Sequence, residues 1–170
     1  MVNPARKGSA FERKICRLLS LWVSHGKHED LFWRTSLSGG RATVARKKGR
    51  DVRQSGDIGA VAKEGHRLTD VFYLELKHLA KIDVHGILTG TGALVKIWKR
   101  TRKEAQHYSR VPILIIKQNR LPTLICLNLN GRHRFNIFAG EFKLIAPQQG
   151  LHILHLSTFL KTTELRNVDL

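Results

Sequence analysis

Cysteine is scarce in this 170-residue chain. The two cysteines, Cys16 and Cys126, each lie in an apolar segment and far from a second thiol. Structural zinc sites need several Cys or His ligands at short spacings, so this class of site is not expected. Both cysteines are typical of core residues in a protein that stays reduced, which favours a cytoplasmic, intracellular location.

Long apolar runs are absent as well. A membrane-spanning helix needs about 18 or more consecutive apolar residues, and no run approaches that length. The first apolar stretch is interrupted by Arg13, Lys14 and Arg17, which is not the pattern of a secretory leader. We therefore expect neither a signal peptide nor a membrane partner.

Acidic residues are few: thirteen Asp and Glu face thirty Lys and Arg, which gives a formal charge of +17. Such an excess attracts polyanions and makes their association fast and sensitive to salt. It also exceeds what solubility alone requires. An acidic membrane surface is the weaker alternative, because the chain carries no lipidation signal or basic amphipathic terminus. The charge therefore predicts a nucleic-acid partner.

The predicted elements indicate the fold class. The length and the 42% of hydrophobic residues suit one compact domain. Helical periodicity and short apolar or alternating runs predict its elements. The helices span 9–24 and 93–109, with a short one from 157, and the strands span 31–35, 57–62, 71–77, 113–117 and 123–129, with weaker ones at 134–138 and 152–156. This order predicts an α/β domain with a central mixed β-sheet flanked by helices.

Three segments complete the single domain predicted over residues 1–170. Residues 1–8 are predicted to be a basic arm, 36–55 a mobile basic loop, and 128–170 a C-terminal extension of the core. A loop as long as 36–55 inside a compact domain is usually functional or disordered. Its basic residues, which we expect to contact nucleic-acid phosphates, are Arg41, Arg46, Lys47, Lys48, Arg50 and Arg53.

Three side chains near two predicted strands can do chemistry. Residues i and i+2 of a strand share a face, so Glu75 and Lys77 point the same way. A polar hairpin-like turn around Gly65 would pair this strand with the one that begins at Asp57. Two carboxylates converging at a strand edge suit Mg²⁺, for which Mn²⁺ can substitute. The alternative is a plain ion pair on an exposed strand, since the pattern is common by chance.

The motifs around these residues follow a recognisable order. They are KGSAFERKICRLL, RTSLSGG, SGDIGAV and FYLELKH, followed by IWKRTRKEAQHYSRVPILIIKQNR. In this order the chain resembles the PD-(D/E)xK nuclease superfamily, and most of all archaeal-type Holliday junction resolvases and their phage relatives. The resemblance covers about residues 7–127. Gly56-Asp57 stands where the superfamily has Pro-Asp, and the stretch 41–54 is longer than in compact members.

The resemblance implies a restriction-endonuclease-like core that hydrolyses DNA phosphodiesters with Mg²⁺. Asp57 and Glu75 would bind the metal, and Lys77 would support the attacking water. Glu12 would complete the metal shell directly or through water, and Ser38 would lie near the scissile phosphate. The implied substrate is a four-way junction, cut by a homodimer because two symmetric nicks need two sites. Phage relatives also suggest a phage-encoded protein that acts in the host cell.

Several interpretations stay open at this point. Ser9 and Glu12 match a capping box, in which Glu12 would have only a structural role, and the Ser-Gly-Gly sequence at Ser38 is also typical of a simple turn. Lys99, Arg100 and Lys103 form a basic face on the predicted second helix that would bind DNA. The alternatives for the whole protein are a restriction- or repair-type nuclease on linear duplex or single-stranded DNA, and a non-enzymatic basic DNA-binding protein.

Overall fold

The computed structural model describes residues 4–35, 56–137 and 139–163. Its helices are α1 (Pro4–Val23), α2 (Lys63–Thr69), α3 (Val84–Thr89), α4 (Gly92–His107), α5 (Leu129–Arg134) and α6 (Leu156–Thr162). Its strands are β1 (Phe32–Arg34), β2 (Ile58–Ala60), β3 (Phe72–Leu79), β4 (Val111–Gln118), β5 (Leu124–Leu127), β6 (Leu144–Ala146) and β7 (Leu151–His155). Ser38 and the predicted basic loop 36–55 lie outside the described residues, and none of the described helices is long and apolar enough to cross a membrane.

The main sheet has five strands in the order β3-β4-β5-β7-β6. Strands β3 and β4 are parallel, whereas the other neighbours are antiparallel. Strands β1 and β2 form a separate antiparallel pair. The predicted α/β class with a mixed sheet and flanking helices is therefore confirmed. The C-terminal segment belongs to this sheet, because β7 lies between β5 and β6.

Helices cover both faces of the sheet. Strand β4 carries the run Ile113–Ile116, whose four side chains are all buried, as expected for a strand packed on both sides. Ile113 and Ile115 pack in one core with α1, α6 and Phe135, which directly follows α5, whereas Leu114 and Ile116 pack in a second core with Trp98 of α4. We call these two sides the α1 face and the α4 face.

The N-terminal helix begins earlier than predicted. It starts at Pro4 rather than Ser9, so the predicted basic arm is wrong from residue 4 onward. Proline suits a helix start because it has no backbone N–H to leave unpaired. Ser9 therefore lies inside α1, and its hydroxyl accepts a hydrogen bond from the Arg34 guanidinium at 2.7 Å. The capping-box interpretation of Ser9 and Glu12 is wrong for the same reason.

Other predicted connections also differ from the structure. The turn around Gly65 is helix α2, and β2 pairs with β1 instead of forming a hairpin with β3. The stretch 81–92, which lies outside all the predicted helices and strands, contains α3. The predicted weak strand 134–138 is wrong, because α5 ends there and Asn136 has φ +53°. Strand β7 and helix α6 lie within one residue of the predicted starts.

Candidate active site

The candidate site lies on β3, at one edge of the five-stranded sheet. Alternation along this strand sends Phe72, Leu74 and Leu76 into the core of the α1 face. Glu75 is in register with Leu114, which packs on the α4 face. Glu75 and Lys77 therefore project from the sheet on the side that α4 covers.

Backbone contacts on both sides fix Asp57 beside β3. Its N–H donates to the carbonyl of Leu74 at 2.8 Å, and its own carbonyl accepts from the N–H of Thr35 at 3.0 Å. Gly56 makes a parallel bridge to Leu74 with φ +88°. A Cβ on Gly56 would lie 2.5 Å from the Leu74 carbonyl oxygen. A side chain is therefore excluded here, as is proline, whose ring fixes φ near −65°.

The three predicted residues converge at this edge. Asp57 is only 7% exposed, and its Oδ2 accepts the Leu76 N–H at 2.8 Å. The Lys77 Nζ lies 2.6 Å from Oε1 of Glu75 and 3.5 Å from Oδ2 of Asp57. One ammonium group thus contacts both carboxylates. Asp57 therefore lies close to Glu75 and Lys77, as expected, and the catalytic and metal-binding roles of the three residues stay predictions.

The charges in this cluster perturb one another. Burial and the neighbouring Asp57 carboxylate raise the pKa of Glu75, although Lys77 and Arg100 act in the opposite direction. Burial alone would lower the pKa of Lys77, but Asp57 and Glu75 outweigh it and the pKa is raised. Lys77 therefore stays positively charged at neutral pH. The raised pKa of Glu75 means that its charged form is destabilised in the folded protein. An additional cation nearby would stabilise that charged form.

The oxygen donors present fit a hard divalent cation. Mg²⁺ in phosphate-processing sites is commonly bound by one or two carboxylates, with waters and substrate phosphates completing its shell. Asp57 and Glu75 supply two carboxylates around a position that already attracts the Lys77 ammonium. In the part of the chain that the structure describes, no group of three or more His, Cys, Asp or Glu could hold a metal ion. Further ligands would therefore come from other oxygens.

Glu12 forms an ion pair with a different residue, Arg34. Its Oε2 is 3.1 Å from Nε of Arg34 on β1. The same carboxylate is close enough to Cys16 that burial and Glu12 together raise the pKa of the thiol to about 12. Glu12 thus joins α1 to β1, and its role as a metal ligand stays a prediction.

Helix α4 separates the basic residues predicted to bind DNA into two groups. Arg100 lies close enough to Glu75 to lower its pKa by Coulombic attraction. Lys99 and Lys103 instead line an open groove on the other flank of the helix. Their DNA-binding role, like that of Ser38 and the loop residues, stays a prediction.

Tyr73 is a residue of this site that the sequence reasoning missed. Burial, followed by the carboxylates of Glu75, Glu104 and Asp57, raises the pKa of its phenol. Its ring stacks on Tyr108 with centroids 6.0 Å apart. The signal was available in the sequence, because Tyr73 is two residues before Glu75 and so shares its face of the strand.

Comparison with known proteins identifies one family that the chain matches. The model of a family described as "Phage putative PDDEXK endonuclease" matches residues 3–157, which is most of the chain. The match includes every described residue of the candidate site. No curated protein and no solved structure matches the chain.

Proposed function

The chain belongs to the phage PDDEXK endonuclease family, and on that premise we propose that it is a Mg²⁺-dependent endonuclease that resolves four-way DNA junctions. The reaction is hydrolysis of a DNA phosphodiester at the cluster of Asp57, Glu75 and Lys77. It acts as a homodimer in the host cytoplasm, since two opposed nicks need two sites.

The observation that carries this proposal is the position of the Lys77 ammonium group. It contacts both carboxylates at the edge of the sheet, and its side chain is 38% exposed. A cation partly open to solvent can meet a phosphate, whereas the buried Asp57 is fixed by the Leu76 N–H. The combination of one fixed carboxylate and a reachable positive charge supports phosphodiester chemistry over a purely structural ion pair.

The residues of the site have distinct roles in the proposed reaction. Asp57 and Glu75 would hold the cation, which when bound supplies charge neutralisation and activation of water. Lys77 stays protonated, because the carboxylates raise its pKa, so it stabilises negative charge on the phosphate rather than removing a proton. Arg100 adds a second positive charge beside Glu75. Glu12 would join the metal shell only if its ion pair with Arg34 opened.

DNA would reach the site through basic residues around it. The net charge of +17 gives a long-range attraction for any nucleic acid. We propose that the loop residues contact phosphates beside the site, with Ser38 near the scissile one. The residues are Arg41, Arg46, Lys47, Lys48, Arg50 and Arg53.

A cleavage assay on a panel of substrates tests the proposal. The panel contains a four-way junction, a flap, a linear duplex and a single strand, each in Mg²⁺, in Mn²⁺ and in EDTA. We expect paired cuts in opposite strands of the junction with either metal, weaker cutting of the other DNAs and none in EDTA.

Each alternative gives a different pattern in the same assay. Equal or faster cutting of linear duplex or single strands would contradict the junction assignment and favour a restriction- or repair-type nuclease. Binding of all four DNAs without cleavage in either metal would overturn the nuclease assignment and leave a basic DNA-binding protein. Undiminished cleavage in EDTA would contradict the metal requirement.

A further inference from the structure

An open groove lies along the flank of α4 that carries Lys99, Arg102, Lys103 and Gln106. Its volume is about 760 Å³, which is more than a single phosphate group fills. The residues that line it include Lys99, Arg102, Lys103, Arg110, Asn128 and Asn130. Among the described residues, no Asp or Glu lines this groove. The result is a concave surface in which positive charge is concentrated.

A second groove of about 400 Å³ continues the first. It is lined by Val111, Asn130, His133 and Arg134, and it shares Val111 and Asn130 with the larger groove. Val111 begins β4, whereas His133 and Arg134 belong to α5. The combined surface, called here the α4–α5 groove, therefore runs from α4 across the start of β4 to α5.

We propose that the α4–α5 groove binds the sugar–phosphate backbone of DNA at a distance from the cleaved bond. Phosphates are contacted mainly by Lys, Arg and polar side chains such as Asn, which are the residues found here. No Phe, Tyr or Trp lines the groove among the described residues, so it lacks the large aromatic rings on which unpaired bases stack. The contact is therefore with the backbone and is independent of sequence.

The position of the groove fits DNA that also reaches the candidate site. This step rests on the proposed function, since it takes DNA as the substrate. Lys99 lines the groove, and the adjacent residue Arg100 lies near Glu75 of the site. The site is on β3 and the groove reaches the end of β5, two strand spacings or about 10 Å away. That span is comparable to the roughly 12 Å width of a DNA major groove.

One cation of the groove is already held in place. The Arg102 guanidinium donates a hydrogen bond to the Gln149 carbonyl at 3.3 Å. Lys99, Lys103 and Arg134 are exposed and can turn toward a phosphate. The test therefore replaces these exposed residues and leaves Arg102 unchanged.

The experiment measures DNA affinity against salt concentration by fluorescence anisotropy, with a labelled duplex in EDTA so that no cleavage occurs. Each phosphate contact contributes about 0.9 to the slope of log affinity against log salt. The double variant Lys99→Ala/Lys103→Ala should flatten the slope by about 2 units, and Arg134→Ala by about 1 unit. A matched control, Lys63→Ala/Lys161→Ala, removes the same charge from exposed positions on α2 and α6.

The outcomes separate this proposal from the proposed function. An unchanged slope in the double variant, or an equal change in the control, would overturn the groove assignment whether or not the protein cuts DNA. A flattened slope in a protein that cuts no DNA would support the groove and contradict the nuclease. When both proposals hold, the double variant cuts more slowly than wild type at protein concentrations that do not saturate the DNA, whereas the control variant cuts at the wild-type rate.

Discussion

The two flanks of α4 use positive charge in opposite ways. On the flank facing β3, the Lys77 ammonium contacts the carboxylates of Glu75 and Asp57, and Arg100 lies nearby. On the other flank, Lys99 and Lys103 line a groove without a carboxylate among its described residues. The first flank has opposite charges that compensate one another in a partly buried site, and the second presents the exposed charges of Lys99 and Lys103.

The charges of the first flank hold side chains in fixed positions, whereas the charges of the second flank attract a charged ligand. Partly buried opposite charges hold one another at fixed distances, and removal of one leaves the others poorly paired. Exposed like charges hold no geometry, but they produce a field that draws polyanions and weakens with salt. We therefore expect substitutions beside β3 to affect the cleavage step, and substitutions in the α4–α5 groove to affect affinity.

The largest expected effect comes from Asp57→Asn. The new side chain keeps an oxygen that can accept the Leu76 N–H, so the fold should be retained. It removes the charge that is proposed to hold a cation, and we expect cleavage to fall on the order of a thousand-fold or more. DNA affinity should stay equal or increase, because a negative charge near the phosphate is lost.

Single-turnover cleavage and anisotropy on the same DNA measure the two effects of Asp57→Asn. Asp30→Asn, which removes a carboxylate from an exposed loop, is the control and should cut normally. Near wild-type cleavage by Asp57→Asn would contradict the assignment of the site.

Separate substitutions of the adjacent residues Arg100 and Lys99 test most directly whether the two flanks of α4 differ in function. Arg100→Ala removes the cation beside Glu75, and loss of a group that supports a metal ligand costs about 10- to 100-fold in activity. Lys99→Ala should leave the rate at saturating DNA unchanged and flatten the salt slope by about 0.9. Cleavage rates at saturation and salt-dependent binding of both variants measure the split. If both variants changed the cleavage rate at saturation and the salt slope by the same amounts, the two flanks would not differ in function.

Short-range patterns predicted much of this molecule. Strand alternation put Glu75 and Lys77 on one face, and the 2.6 Å contact between them agrees. The same rule applied to Tyr73 would have added it to the site. Helical periodicity identified α1 and α4, because both are long enough for an apolar stripe to repeat.

Long-range pairings were not predictable in the same way. Asp57 was expected beside Glu75 through a hairpin, but it gets there because Gly56 bridges Leu74 in parallel while β2 pairs with β1. That bridge depends on a positive φ and a close backbone approach, which no local pattern encodes. Helix α2 has seven residues, too few for a period to stand out. Strand β6 has three residues, and it is held by pairing with β7.

The smallest expected effect concerns the stability of the metal-free protein. Burial and Asp57 raise the pKa of Glu75 in the folded state, whereas in the unfolded chain it is near the ordinary value of about 4.3. Between these two values the folded protein holds a proton that the unfolded chain has released. Stability therefore falls as pH rises from the unfolded pKa through the folded one, and the loss persists at neutral pH. Glu75→Gln, which does not titrate, should gain in melting temperature relative to wild type between about pH 4 and pH 7.

Combining Glu75→Gln with Asp57→Asn identifies the source of this effect. Thermal melts in EDTA across the same pH range compare Glu75→Gln with wild type, and the double variant with Asp57→Asn alone. Removing the Asp57 charge removes the repulsion, but burial, the larger cause, remains. The pH-dependent difference in melting temperature should therefore shrink in the Asp57→Asn background without disappearing. A difference of the same size in both backgrounds would mean that the two carboxylates do not interact, and the β3 flank would then lack the coupled charges that distinguish it from the groove.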